Sequence, residues 1–555
     1  MLPCVARAQI GRSTPDASYY AAVRSLYDGQ YARCAKAFER EWRTSVRIGE
    51  TRWVDAICFH AMRGESLYQL GDNLGALREF DNACELFLAN SSWMMRVSFQ
   101  QNPRPDRNPR RLAPFGAPMR AAVYSDLPET MLISYGQIDN TQVANSGGVV
   151  RTAQFWKLDV VEVIRCTALA IRRRNQLLGP LGPHDKLSRA LADRLERGGV
   201  AQANHWSEAW TDLLAGLAQL GVYKPKEAAP HLTRALFLEG KYDHRLTGAA
   251  FLAQAQLALA SGEDKLVPRL TAEAALAAYA YEDWDVLCEA LALGQVHQLA
   301  TGDKPAADLL SGAVAWAARE HADHVTALLR LLWAEQLATG PDPAKAAATL
   351  AAAIPTRSNI ATGRLAPYAD YLAALVAYQG GQTEEGDSSI DATLAKYRQV
   401  SLTNFQLALA NERFDSGQLS PRIAVEVYPT LLTDPSAMHW SLDPIDAMTT
   451  LTSSHEAAYD RWLAAQLSRR EVLGSMYTAD LAKRGRFFSN QPLGGRRCAA
   501  RTLLEEPGDN LTPAQRLERA ALEALSPGYR TLAEQAHAVH RELADSKSLF
   551  SEETA

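Results

Sequence analysis

The clearest structural pattern in the chain lies in residues Ile57 to Asn90, ICFHAMRGESLYQLGDNLGALREFDNACELFLAN. Small and large residues recur in it at the intervals of a helical hairpin: Gly64, the turn Gly71-Asp72, Ala76, Phe80 and Ala83. Small residues let two helices cross closely, and a large residue fills the gap to the next hairpin. The stretch therefore predicts a hairpin that stacks on others like it.

This pattern resembles the tetratricopeptide repeat (TPR), a helical hairpin of about 34 residues. A weaker unit precedes it, with a turn at Gly29-Gln30-Tyr31. The pattern resumes at Trp206, and further turns are predicted at Gly262, Gly302, Gly340 and Gly381, with intervals of 40, 38 and 41 residues. Because Ala-rich helices have little bulk, each hairpin must bury its apolar face against its neighbours.

The predicted fold is therefore all-α, a TPR-like α-solenoid of stacked helical hairpins with one irregular insert. The organisation predicted along the chain is a signal-like remnant (1–8), N-terminal TPR-like hairpins (9–90), an irregular Pro/Arg-rich insert and helix (91–203), a TPR-like solenoid (204–400) and a C-terminal helical capping or connecting region (401–555).

The insert departs from the repeat pattern. Five prolines between Gln101 and Arg120 exclude a helix there and predict an extended loop. Met131 to Ile133 and Val149-Val150 flank an Asn-Ser-Gly-Gly turn, which could be a short hairpin or irregular packing. Apolar residues at helical spacing predict a helix from Val160 to Leu178.

Composition excludes several classes of protein. The 555 residues carry 58 Lys and Arg against 63 Asp and Glu, a formal net charge of -5, so no basic field favours nucleic acid. No apolar run reaches the roughly 18 residues that a membrane-spanning helix needs. The seven cysteines are far apart and never form C-x-x-C, which predicts packed thiols rather than disulfides or a zinc site.

The first eight residues contain Ala6-x-Ala8, the small-residue pattern of a signal-peptide cleavage site, without the charged and apolar regions that should precede it. If this remnant is real, the protein is exported or periplasmic. Otherwise it is cytoplasmic.

Four strings resemble the amino-terminal half of large bacterial TPR-CHAT proteins: RWVDAICFH (Arg52 to His60), CTALAIRRRNQLLGPLGPHD (Cys166 to Asp185), NHWSEAW (Asn204 to Trp210) and RGRFFSNQPLGGR (Arg484 to Arg496). In that family a repeat region is followed by a caspase-like CHAT domain with a His/Cys dyad. The resemblance implies that the repeat half binds or senses a partner while the CHAT half cleaves a protein. The sequence ends at Ala555 before any such half, so the chain is expected to be the repeat module, with a CHAT domain possible in cis or in trans.

Local motifs predict no catalytic residue, no cofactor and no metal. The pairs His321/His324 and His537/His540 have helical i, i+3 spacing and could supply two metal ligands each, but no third ligand follows at a recognisable spacing, which favours exposed histidines without a site. The arginines between Arg104 and Arg120, and Arg172-Arg173-Arg174, could grip an anion or lie on solvated surface.

The first helix of each hairpin lines the concave face of a TPR superhelix, which predicts a peptide-binding groove. The residues expected on that face are Glu65, Tyr68, Glu208, Arg330, Tyr368, Tyr371 and Tyr378. The three later tyrosines could anchor an apolar or aromatic peptide, or pack against the adjoining hairpin.

Three functions follow as expectations. The favoured one is a non-catalytic helical-repeat scaffold that recognises a protein or peptide in this groove. The alternative is the regulatory or sensing arm of a TPR-CHAT cysteine protease whose catalytic domain is absent from this chain. A metal-dependent enzyme built on the histidine pairs is the third.

Overall fold

Helices form most of the protein in the computed structural model. The structure describes residues 10–48, 50–99, 102–108, 110, 112–135, 154–301, 307–340, 342–353, 363–435, 437–491, 503–504, 506, 508–525, 531, 534–535 and 538–539. The predicted signal-like remnant lies outside these residues. So do His537, His540, Gly302 and Val149-Val150.

The N-terminal third contains helices α1 (Ala17–Tyr27), α2 (Tyr31–Glu41), α3 (Ala56–Leu70), α4 (Asn73–Ala89), α5 (Val160–Leu178) and α6 (Lys186–Glu196). Its strands are β1 (Ile10–Thr14), β2 (Arg47–Ile48), β3 (Thr51–Arg52), β4 (Val97–Ser98), β5 (Thr130–Tyr135) and β6 (Gln154–Asp159). Acidic caps fix several helix starts. Asp72 accepts the Gly75 amide and Asp159 accepts the Glu162 amide, which satisfies donors that a helix start leaves unpaired.

The repeat hairpins follow. Their helices are α7 (Glu208–Gly221), α8 (Pro225–Arg234), α9 (Thr247–Ala260), α10 (Val267–Ala280), α11 (Trp284–Thr301), α12 (Ala307–Arg319), α13 (Asp323–Ala338), α14 (Pro343–Ala353), α15 (Leu365–Gln379), α16 (Thr383–Val400), α17 (Leu402–Asp415) and α18 (Pro421–Leu432). Sequential helices pack in pairs, α7 with α8, α9 with α10, α13 with α14 and α15 with α16. The predicted all-α helical-repeat solenoid is confirmed.

The remaining helices are α19 (Ala437–Leu442), α20 (Pro444–Thr452), α21 (Glu456–Ser468), α22 (Val472–Ser489) and α23 (Pro513–Leu525). The chain divides into two compact units, Met1–Thr449 and Thr450–Ala555. The first unit contains every predicted segment up to residue 400. The second contains the hairpin of α21 and α22.

The α3–α4 hairpin has the close packing that its residue spacing predicts. Gly71 ends α3 with φ of 86°, a left-handed conformation that favours glycine. Phe80 on α4 lies directly against Gly64 on α3, where an added Cβ would come within 2.6 Å of the ring. The small and large residues of the repeat therefore meet face to face, as the spacing predicts.

Three strands of the insert form a small sheet with β1 from the start of the chain, in the order β1-β6-β5-β4. Strand β1 runs parallel to β6, and the other neighbours are antiparallel. Residues Met131 to Ile133 lie in β5, whose antiparallel partner is β6 at Gln154–Asp159. The second half of the expected hairpin, Val149-Val150, lies outside the described residues. The predicted helix from Val160 to Leu178 is confirmed as α5.

Replacing Gly64 with alanine should lower the free energy of unfolding by about 1–3 kcal/mol, because the new methyl group would push the buried Phe80 ring out of its place. Thermal and urea denaturation would measure the loss. Gly340→Ala is the matched control. Its Cβ would meet only carbonyl oxygens at 3.4 Å or more, so its stability should stay within about 0.5 kcal/mol of the original chain. Equal stabilities for the two variants would contradict the close helix crossing.

Candidate functional site

The first helix of each hairpin from α7 to α18, or a residue just before it, contacts residues 10–178, which we name the N-terminal segment. The contacts, in the order of helices α7, α9, α11, α13, α15 and α17, are Asn175 Nδ2 to Leu217 O (2.7 Å), Glu162 to Arg245 (3.6 Å), Arg173 to Glu289 (2.7 Å), Tyr31 Oη to His324 Nδ1, Arg364 Nε to Tyr68 O (2.8 Å) and Gln406 Nε2 to Gln176 O (3.1 Å). These first helices were predicted to line a peptide-binding groove, and the structure brings the chain's own N-terminal segment against them. The peptide-binding groove stays a prediction.

Glu65 and Tyr68, the groove residues predicted in the α3–α4 hairpin, are buried at this contact. Glu65 is 0% exposed and accepts hydrogen bonds from Arg173 Nε (2.6 Å) and from Gln69 (2.7 Å). Tyr68 lies between two guanidinium groups, 4.5 Å from that of Arg173 and 3.8 Å from that of Arg364. A peptide could reach these side chains only if the N-terminal segment moved away, so their role in a groove stays a prediction.

Burial and Arg173 have opposite effects on the pKa of Glu65. Burial by itself raises the pKa of the carboxyl group, but the charge and hydrogen bonds of Arg173 outweigh burial and hold the pKa below its ordinary value. Glu65 is therefore a buried carboxylate that depends on Arg173 for its stability.

The arginine run at the end of α5 is buried rather than solvated. Arg173 pairs with Glu65 and Glu289, and Arg174 pairs with Asp81 (2.6 Å) and Asp185. Neither alternative offered by the sequence, an anion grip or a solvated helix end, describes these residues. The anionic partners of these arginines are carboxylates of the chain itself, because the end of α5 lies among acidic side chains of neighbouring elements.

The tyrosines predicted for the groove do not form one accessible cluster. Tyr368 donates to Glu335 Oε2 (2.7 Å), and both Tyr368 and Tyr371 pack against the apolar core formed by α13 to α15. Tyr378 donates to Asp387 Oδ1 (2.7 Å) and its ring covers Gly386 on α16. These contacts favour packing against adjoining helices over peptide anchoring.

The two other predicted groove residues lie apart. Glu208 is exposed at the start of α7, and Arg330 on α13 donates to Ala352 O (2.5 Å) at the end of α14. The structure does not bring them together with each other or with the tyrosines.

The Pro/Arg-rich loop is held against later hairpins. Arg120 pairs with Asp243 (2.5 Å) and Glu273 (2.9 Å), and Phe115 lies in the core formed by helices α9 to α13. Arg120 is therefore a structural link between the loop and the α9–α10 hairpin.

The two histidines of the pair His321/His324 lie in different environments. His321 is a turn residue with φ of 56°, while His324 is buried and bonded to Tyr31. Within the described ranges, no cluster of three or more His, Cys, Asp or Glu side chains could hold a metal ion. In the same part of the chain, no helix is both long and apolar enough to cross a membrane. The five described cysteines are buried thiols.

Helix α22 has an inverted arrangement of side chains. Over its first two turns the exposed face is apolar, with exposed fractions of 66% for Val472, 83% for Leu473, 66% for Met476 and 63% for Tyr477, whereas charged residues are exposed further along the helix. The spacing i, i+1, i+4, i+5 places these four residues on one side of the helix. We name this group the α22 apolar face.

The buried side of α22 is polar. Ser475 and Thr478 are buried against α21, where Gln466 donates to Thr478 Oγ1 (2.8 Å) and accepts from Trp462 Nε1 (3.2 Å). Polar contacts thus take part in the packing of α21 on α22, while the four apolar side chains of the first turns are exposed to water. Exposing four neighbouring apolar side chains to water is unfavourable in free energy, and such a patch is typical of a protein-interaction site.

Sequence reasoning missed the α22 apolar face. Its apolar residues have ordinary helical spacing, and spacing alone predicts that the apolar side faces inward. The available signal was the string of small and polar residues Gly474, Ser475 and Thr478, which occupies the opposite side.

Comparison with protein-family models gave no match, and comparison with curated proteins gave no significant match.

Proposed function

We propose that the protein is a non-catalytic helical-repeat scaffold that recognises another protein, and that the α22 apolar face is its docking surface. The single observation that carries this proposal is the inversion of α22, with Leu473 and Tyr477 in water and Thr478 in the interior. Four apolar side chains on one helix face supply the aromatic and flexible aliphatic groups that are enriched at interfaces.

The chemistry of the surface indicates the kind of partner. A single exposed helix face is complementary to the apolar side of another amphipathic helix, with contacts one helical turn apart. Arg470 is exposed just before the α22 apolar face and Asp480 is exposed one turn after it, so an acidic partner residue at the first end and a basic one at the second would add electrostatic attraction. The expected partner is an amphipathic helix with one acidic and one basic flank.

The test is a matched pair of double variants of the full chain. Leu473→Glu with Met476→Glu should weaken binding of a partner at least 100-fold, since two charges would have to be desolvated in the interface. Leu112→Glu with Met119→Glu changes two similarly exposed apolar residues in the first unit and should leave binding unchanged. Candidate partners would be captured on immobilised protein, remade in pure form and titrated against all three chains.

Equal affinity of a purified partner for all three chains would contradict the proposed surface. Sedimentation velocity on the chain alone gives an independent check. A dimer that dissociates in the Leu473→Glu, Met476→Glu variant would identify a second copy of the chain as the occupant instead.

A second candidate is the regulatory arm of a TPR-CHAT protease. The string RGRFFSNQPLGGR, part of the resemblance to that family, begins at Arg484, on the same helix as the apolar face and about two turns after it. In this version a caspase-like CHAT domain, in cis or in trans, is the protein that docks there. Titration of a separately produced CHAT domain against the two double variants would separate this candidate from a scaffold with an unrelated partner.

A further inference from the structure

A cavity of about 590 Å³ opens in the first unit. It lies where α1, the start of α5, Arg110 and the turns after α10 and α12 meet. Its volume is in the range of pockets that hold small molecules or single side chains of a partner. None of the functions considered above uses it.

Aromatic rings form one wall of the cavity. Trp284 and Trp316 have ring centroids 4.6 Å apart, and Tyr279 packs on Trp316 at 5.2 Å. Tyr281 completes the wall. Aromatic faces carry partial negative charge and attract organic cations, more strongly when water is excluded.

The protein already binds one guanidinium group on this wall. Arg110 from the Pro/Arg-rich loop lies 4.0 Å from the centroid of Tyr281 and donates to Ala280 O (3.0 Å). The arrangement of ring face and carbonyl oxygen is therefore suited to a planar cation.

The positive charges in the cavity floor are matched. Arg165 donates twice to Glu162 (2.8 Å each) and lies 3.5 Å from Asp285, and Arg245 pairs with Glu129 (2.7 Å). These arginines need no external anion. An anionic ligand would also have to approach the carboxylates that surround them.

The acidic side chains around the opening differ from these arginines in their ion pairing. Among the residues that the structure describes, Asp28, Glu282, Asp283 and Glu320 have no basic partner at ion-pair distance, and the exposed Arg24 is the nearest cation to Asp28 on its helix. Asp283 is only 3% exposed, and one of its oxygens accepts the Val286 amide at 3.4 Å. Burial, and to a smaller extent the nearby Asp323, raises the pKa of Asp28, while Arg24 lowers it.

We propose that this cavity binds the cationic side chain of a lysine or arginine in an exposed segment of a partner protein, with the cation between the Trp284 and Trp316 wall and the acidic opening. Arginine fits best, because its planar group can stack on a ring while donating to carboxylates. The site does not offer the convergent oxygen ligands that a hard metal ion requires. The proposal is independent of the α22 apolar face.

Calorimetric titration of the full chain with short capped peptides tests the proposal. Acetyl-Gly-Arg-Gly-amide should bind most tightly and acetyl-Gly-Lys-Gly-amide more weakly, while acetyl-Gly-Gln-Gly-amide should show no saturable binding. Affinity for the arginine peptide should fall as salt rises, because part of the attraction is electrostatic. Equal binding of the glutamine peptide would overturn the proposal, and tighter binding of spermidine than of the arginine peptide would replace the peptide side chain by a free polyamine.

A matched variant pair locates the binding. Glu282→Gln with Glu320→Gln removes two charges at the opening and should weaken the arginine peptide about tenfold. Glu239→Gln with Glu263→Gln is the control, since these acids are exposed on other turns and Glu239, like Glu282, has a positive φ. Both variants change only exposed side chains, so both should fold as the original chain does. Equal affinities of the two variants would overturn the assignment of the site.

Discussion

Replacing Arg173 with methionine should lower the free energy of unfolding of the first unit by about 3–5 kcal/mol. The variant would leave Glu65 as an unpaired carboxylate in the interior, and it would also remove one of the two cations that stack on Tyr68. A buried charge without its partner is one of the most destabilising defects that a single substitution can produce. Urea denaturation followed by circular dichroism would measure the loss.

Two further variants make this prediction specific. Glu65→Gln combined with Arg173→Met should recover at least about 1 kcal/mol relative to Arg173→Met alone, because the uncompensated charge is gone. Lys396→Met breaks an ion pair with Asp370 in which the lysine is half-exposed, and it should cost no more than about 1 kcal/mol. A loss for Arg173→Met as small as that for Lys396→Met would show that the Glu65 pair is solvated.

Replacing Glu335 with glutamine should make the protein more stable than the original chain at pH 8.5, by about 2 kcal/mol, and about equally stable at pH 5. Burial raises the pKa of Glu335 from 4.5 to about 7, although the hydrogen bond from Tyr368 opposes this rise. The folded state therefore prefers the protonated acid. Its stabilising contribution is complete below about pH 4.5 and is lost as pH rises through 7.

Glutamine resembles the protonated acid and has no charge to bury, so the variant lacks this loss. Asp285, whose pKa is also raised to about 7 by burial and by Glu65, contributes the same trend to both proteins and cancels in the comparison. Denaturation curves at pH 5 and pH 8.5 are the measurement, with Glu426→Gln as an exposed control on α18. An unchanged difference in stability between the two pH values would mean that Glu335 is ionised throughout.

The repeat hairpins could be predicted because their information is local. Gly64 and Phe80 are 16 positions apart, and the turn at Gly71 lies between them, so one hairpin contains the whole pattern. The small sheet was harder to predict. Its strand β6 follows residues 136–153, and its parallel neighbour β1 is more than 140 positions away.

The packing of the N-terminal segment against the first helices of the hairpins could not be predicted from the hairpin pattern. Repeat spacing indicates which residues face the concave side, but it carries no information about what covers them. Arg173 and its partner Glu65 are 108 positions apart, and each alone is an ordinary charged residue on a helix. The α22 apolar face escaped prediction for a related reason, since a helical period is the same whichever side faces the solvent.

The wrapping of later hairpins around the N-terminal segment has a consequence for biosynthesis. Asn73 donates to Val400 O across 327 positions, so the ribosome must add those residues, at about 5–20 per second, before this contact can form. For roughly 15 to 65 s the nascent chain presents Tyr68 and its neighbours without their final covering. A repeat array whose units contact only their neighbours can fold one unit at a time. Here α4 gains its contact with α16 only after more than 300 further residues have been made. We therefore expect a holding chaperone to bind the first helices during translation.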